Sequence, residues 1–349
     1  MEYRRRVRIR NLSIACALAI CLLPLVLSCD LFNGGTYTGL YPIEVGGDYG
    51  YIDETGAIKV TPQFSAAEYF SNGLALIRLT NRYGYIDASG AIGITPQYAD
   101  ARSFSEERAA VSWNTRRWGF IDKHGSLVID TVFAEASSFA DGFAIVRDTA
   151  SGRYSYIDKN GNAKFGKTFA TANGFSSGLA QVKDSNLNGY INTSGEVVIE
   201  LAESAESGPF SDGLAAVRSG SNYGYINTHG EFAIQPQFSQ ADEFSEGYAA
   251  VAIGSWPDTK CGYIDKKGKW VVQPTFDGAG PFSEGLAAVY RGGLLDWQWG
   301  YVDTKGVVVI PLQFFWAEEF KGALARVQSE WGKTGYIDNT GEYVWGPSK

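Results

Sequence analysis

Two histidines, one methionine, four cysteines and 11 prolines in 349 residues leave this chain poor in several kinds of chemistry. His124 and His229 each stand immediately before a glycine, with no Cys or His at metal-ligand spacing, so no metal is expected. Charged residues make up only 19%, and the balance is acidic, 30 basic against 38, giving a net charge of −8. That offers no general electrostatic footprint for nucleic acid. No window sustains a 3.6-residue apolar period, so long helices are not expected. The Gly-x-x-x-x-Gly-Lys-Ser/Thr spacing of a phosphate loop is also missing. The one extended apolar stretch, 12–27, is interrupted by Ser13 and Pro24 and falls short of the roughly 20 residues that span a membrane. No catalytic constellation and no cofactor motif is found. An enzyme would require carboxylates from several parts of the chain to converge.

What is abundant is glycine, 42 of 349 residues, about 12% against a usual ~7%. Aromatic residues reach 14% and hydrophobic residues 45%, which argues against a linker or a disordered chain. The glycines therefore serve the backbone of a folded, turn-rich protein.

The first residues read as an address. Arg4, Arg5, Arg6, Arg8 and Arg10 precede the apolar stretch, which ends Leu25-Val26-Leu27-Ser28-Cys29. A charged region, a short apolar region and a small residue before a cleavage point make a secretory signal. The segment resembles a bacterial lipobox, which implies that Cys29 is acylated and becomes the first residue of the mature chain. An uncleaved anchor, or secretion with Cys29 unmodified, is the alternative. Cleavage there discards Cys16 and Cys21 and leaves Cys29 and Cys261, so no intrachain disulfide is expected. The expected organisation is a signal at 1–28, a tether at 29–39, a repeat array at 40–345 and a tail at 346–349. The expected location is the bacterial cell envelope, lipid-anchored, with the outer membrane or cell surface favoured over the inner membrane.

One tetrapeptide governs the rest. It begins at Gly50, Gly84, Gly119, Ser155, Gly189, Gly224, Gly262, Gly300 and Gly335, and reads Gly-Tyr-Ile-Asp with few departures. Nine copies spaced 34 to 38 residues apart define a repeat array. A second element, such as Phe70-Ser71-Asn72-Gly73-Leu74-Ala75 or Phe282-Ser283-Glu284-Gly285-Leu286-Ala287, recurs between copies. These residues resemble the WG-repeat family of bacterial proteins, whose Trp-Gly pair stands here as Trp118-Gly119 and Trp299-Gly300. The resemblance spans about 40 to 345, and it implies no single activity.

Each unit reads as a three-stranded meander: a Leu-Ala-x-Val strand, the Gly-Tyr-Ile-Asp strand and an x-Val-x-Ile strand. The Phe-Ser connector is expected to hold a helical turn at most. Glycine follows the Asp or Asn by three residues in every unit. The pairs include Asp53 with Gly56, Asp87 with Gly90, Asp122 with Gly125, Asp265 with Gly268, Asp303 with Gly306 and Asp338 with Gly341. That is a structural turn, because Asn192 and Asn227 serve as well as Asp and a metal would need the charge. Units of about 35 residues cannot bury a core alone, so stability must come from stacking neighbours. The expected fold is all-β, an open twisted array of about nine units, with a closed β-propeller as the alternative.

Function is sought in the departures from the repeat. Loops before Gly262 and Gly300 are lengthened, and seven of nine tryptophans follow residue 255. Trp256, Trp297, Trp316 and Trp331 are the candidate ligand-binding residues, by the habit of exposed aromatics to anchor interfaces. Cys261 replaces an aromatic and reads as packing. The expected role is a membrane-anchored, non-catalytic surface for protein or glycan. The alternative is a scaffold associated with peptidoglycan or the cell wall.

Overall fold

The computed structural model describes residues 39–293, 297–330 and 332–347. Among these every regular element is a β-strand, arranged in nine small antiparallel sheets, six of four strands and three of three. Each sheet holds one copy of the tetrapeptide, and the blades are numbered 1 to 9 by those copies. Blade 2 shows the full pattern. Ala66–Ser71, Leu74–Leu79, Arg82–Asp87 and Ile92–Tyr98 pair in that order.

The expected three-stranded unit is therefore one strand short. The Phe-Ser connector is itself the first strand of the blade. Ala67 faces Ile77 and Phe70 faces Ala75, so Glu68 and Tyr69 together oppose Leu76. That bulge destroys the two-residue alternation by which a strand is recognised. Four strands fit into so short a unit because the hairpins close in two residues. Asn72-Gly73 and Thr80-Asn81 all lie at positive φ, the turn geometry whose twist matches the strands it joins.

First strands of successive blades contact one another, Gln240–Ser245 with Gly278–Ser283 and Gly278–Ser283 with Trp316–Lys321. They are thus the innermost strands, and the Ile92–Tyr98 type is outermost. The glycine of the tetrapeptide follows from that outer neighbour. A Cβ on Gly84 would lie 2.6 Å from Ile94 O. Blade 4 carries Ser155 there, and in that blade the outer strand is reduced to isolated bridges at Ala163 and Phe169.

The tetrapeptide tyrosine makes the joint between blades. Tyr51 Oη donates to Glu68 O at 2.7 Å, Tyr225 to Asp242 O at 2.7 Å and Tyr263 to Gly280 O at 2.8 Å, each on the next inner strand. Its ring meets the next Phe edge-on, as in Tyr51–Phe70 at 5.1 Å and Tyr301–Phe320 at 5.0 Å. Such pairs contribute about 0.5–1.5 kcal/mol beyond area burial. Ser71 Oγ and Ser245 Oγ donate to Phe104 O and Phe282 O of the following blades. A third set runs from turn to turn, with Gly247 N–H donating to Asp212 and Gly285 N–H to Glu246.

A variant of this joint, made on the second strand of blade 1, connects blade 9 to blade 1. Tyr336 Oη donates to Pro42 O at 2.7 Å, and its ring meets Tyr41 at 5.5 Å. Leu324 N–H donates to Tyr41 Oη. Tyr41, Ile43, Ile52, Leu324 and Tyr336 form one buried cluster. The open array is thereby corrected: the chain is a closed nine-bladed β-propeller. Closure follows because an open end would leave the apolar faces of Tyr336 and Tyr41 in water.

Candidate functional site

Antiparallel order within each blade sorts the loops onto two faces. Hairpins between the second and third strands open on one face, beside the links into the next blade. The Asn72-Gly73 type of hairpin and the Asp-x-x-Gly turns lie on the other.

On the turn face, Asp53 Oδ1 accepts from Thr55 N–H at 2.9 Å and Ala57 N–H at 3.0 Å. Asp87, Asp122, Asp265, Asp303 and Asp338 accept in the same way, as do Asn192 and Asn227. Gly56, Gly90, Gly125, Gly268, Gly306 and Gly341 all have φ between +78° and +89°. The hydroxyl of Ser89, and then the backbone donors, hold the Asp87 carboxyl below the usual range. Every such oxygen is occupied by its own turn, and the arrangement serves the backbone. His124 and His229 are exposed on these turns.

The opposite face carries the loop tryptophans. Trp256 is 75% exposed on the loop between Tyr248–Ile253 and Lys260–Asp265, which is pinned by Asp258 N–H to Ser255 O at 2.8 Å. Trp297 is half-buried, with its ring 6.0 Å from Phe315. Trp316 is half-buried against Trp299 at 4.9 Å and belongs to the core between blades 8 and 9. Trp331 and Cys29 lie outside the described residues. Of the three described candidates, Trp297 and Trp316 both pack against that core between blades 8 and 9, and Trp256 is the one that projects freely. Trp113, 39% exposed on the corresponding loop of blade 3, shares this face and was not singled out by the sequence. Its signal was its place, immediately after a second strand.

A second set of polar residues lines the axis. The bulge in the inner strands of blades 2, 7 and 9 puts two consecutive residues there: Glu68-Tyr69, Asp242-Glu243 and Glu318-Glu319. Glu318 pairs with Arg326 at 2.9 Å from Nε. Asp242 and Glu243 are wetted by solvent but enclosed by the propeller. Burial pushes Asp242 up to about 6, and burial followed by the Asp242 charge pushes Glu243 up to about 7. Cys261 is buried, with its thiol directed at Asp277 O. Among the described residues, no group of three or more His, Cys, Asp and Glu is placed to hold a metal ion, and no helix is long and apolar enough to cross a membrane.

The sequence model of the WG containing repeat matches residues 49–83, 83–112, 118–148, 154–187, 189–223, 223–255, 262–294 and 299–330. The chain belongs to the WG-repeat family. Each WG repeat runs from the third strand of one blade to the second strand of the next, so the sequence unit straddles two blades. No curated protein matches this WG-repeat chain. Among solved structures it is similar to apo AztD from Citrobacter koseri, at 10% identity and TM-score 0.42, covering 89% of this chain and 93% of that one. It is similar to BamB from Moraxella catarrhalis, at 13% identity and TM-score 0.41, covering 75% and 94%. The β-propeller domain of the Trilobed protease from Pyrococcus furiosus gives 9% identity and TM-score 0.38, covering 87% and 97%.

Proposed function

We propose that this WG-repeat propeller is a non-catalytic binding protein of the cell envelope, tethered through an acylated Cys29. Its loop-bearing face takes a protein or glycan partner. Exposure of Trp256 carries the reading. A large aromatic at 75% exposure on a lengthened loop contributes little to packing, and such residues are typical interface anchors. The motif residues are already committed between blades or within turns, which leaves the loops as the variable part. Glycan stacking and protein docking both use such a ring, and the two are separated by what the chain captures.

The test is retention of the chain from residue 30 onward on purified sacculi and on immobilised envelope proteins. Trp256→Ala with Trp297→Ala should weaken whichever binding is found by about tenfold or more, the scale of an interface anchor. Unchanged binding in the double variant would remove the loop tryptophans from the site.

A further inference from the structure

Six outer strands run to seven residues, and five of them contain proline: Pro62, Pro96, Pro236, Pro274 and Pro311. Blade 3 is the exception. Its outer strand, Leu127–Phe133, is the last of its sheet and has Thr131 at the repeat position of Pro62, Pro96, Pro236 and Pro274. Proline has no N–H, so four blades pair their strands without a donor at that position. Thr131 supplies one, on an edge that elsewhere in the ring proline guards against further pairing.

The side chains of this edge agree. Leu127, Val128 and Val132 are all exposed. Blade 8 exposes Val308 and Val309 on its outer strand, but Pro311 follows within two residues. Phe133 is half-buried, whereas the aromatic residues that end the other five strands are at most 2% exposed. The cause lies in blade 4. Trp270, which faces Ile264, shields Phe238 of the preceding blade at 5.8 Å. Tyr343, which faces Ile337, shields Phe314 at 6.2 Å. In blade 4 the residue facing Ile157 is Ala163, and the outer strand is reduced to isolated bridges. A small residue stands where a large one shields the aromatic, and part of Phe133 stays accessible at the perimeter.

We propose that the outer edge of blade 3 is a docking site for an extended segment of a partner protein, which adds a fifth strand to the blade. The segment has β-branched residues at alternate positions and Lys or Arg near its middle. Asp130 decides the charge. It is exposed at the centre of the strand, and no cation among the described residues pairs with it. Two copies of this edge paired antiparallel about their midpoint would set Asp130 against Asp130. A shift of two residues either way would set it against Val128 or Val132. Like charges directly opposite destabilise a sheet, so a second copy is the poorer occupant and a basic residue is the one that fits. Main-chain hydrogen bonds along the edge supply affinity, while Asp130 and the uncovered part of Phe133 supply specificity. This surface lies on the circumference and is separate from the loop that carries Trp256.

The test pans a library of randomised, phage-displayed heptapeptides on the full chain, with counter-selection on Thr131→Pro. Proline is the repeat's own residue at that position, so the variant should keep the Tm of the unaltered protein within about two degrees. Surviving peptides should alternate β-branched residues and carry Lys or Arg near the centre. Made synthetically, they should bind Thr131→Pro and Asp130→Lys at least about tenfold more weakly than the unaltered chain, and should slow amide exchange across 127–133. No survivors, survivors without a basic residue, or equal binding to Thr131→Pro would overturn the proposal. So would an unaltered chain that sediments as a dimer beside a Thr131→Pro chain that sediments as a monomer, because the edge would then belong to a second copy.

Discussion

At the residue scale, the repeat motif is a set of instructions for contacts at fixed places. Tyr263 is wholly buried, and its hydroxyl meets Gly280 O on the next blade. Removing only that oxygen leaves a buried carbonyl short of a donor. Tyr263→Phe should therefore cost about 0.5–1.5 kcal/mol in denaturant unfolding. Blade 3 shows the form such a variant takes, since Phe120 keeps its ring contact with Phe139 at 5.0 Å without a hydroxyl. Tyr263→Ala removes the ring as well and should cost about 3–5 kcal/mol, by analogy with other large aromatics. An equal cost for both substitutions would mean that packing contributes nothing at this joint. The turn residues were legible in the sequence because a turn is local: Asp53 and its donors lie within four positions. The partner of Tyr263 was not, because nothing in Gly-Tyr-Ile-Asp points to a carbonyl 17 residues away.

At the scale of the element, the inner strand is what the sequence concealed. Its bulge sets Asp242 and Glu243 side by side, so neither alternation nor hydrophobicity marks it as a strand. The same bulge gives the propeller a pH dependence. Burial first, and the Asp242 charge second, put Glu243 at about 7, while burial puts Asp242 at about 6. In the unfolded chain both titrate near ~4. Between those limits the folded state keeps protons that the unfolded state has lost, so these residues make stability fall as pH rises from about 4 to about 7. The turn aspartate Asp87 works with the opposite sign. Its contribution is complete above the ordinary carboxylate range and is lost as the pH falls through its lowered value. Asp242→Asn with Glu243→Gln should flatten the decline toward pH 7 and raise Tm at pH 8 by a few degrees, with channel water limiting the gain. A decline of unchanged slope in the double variant would assign it to other groups.

At the scale of the molecule, repeat number and period were plain in the sequence, whereas closure was not. Closing depends on residues 283 and 294 positions apart, Leu324 with Tyr41 and Tyr336 with Pro42. It also depends on Tyr41 departing from the alanine that the repeat prescribes. The candidate site was legible in part for a related reason. Loop length marked Trp256 as accessible, but the packing of Trp316 on Trp299 appears only when blades 8 and 9 are side by side. Exposed aromatics and core aromatics have the same composition.

The propeller's closure is tested most directly by one distance. In blades 1 and 2, Gly90 packs on the Val60 side chain, and across the seam Gly56 packs on the outer strand of blade 9 at Val344, chiefly on its carbonyl. Spin labels at Thr55→Cys and Glu342→Cys occupy the same repeat positions as labels at Ser89→Cys and Ala57→Cys, all at exposed positions. Pulsed dipolar spectroscopy should return a short distance for both pairs. A short distance for Ser89 with Ala57 and a much longer one for Thr55 with Glu342 would contradict the closed nine-bladed ring.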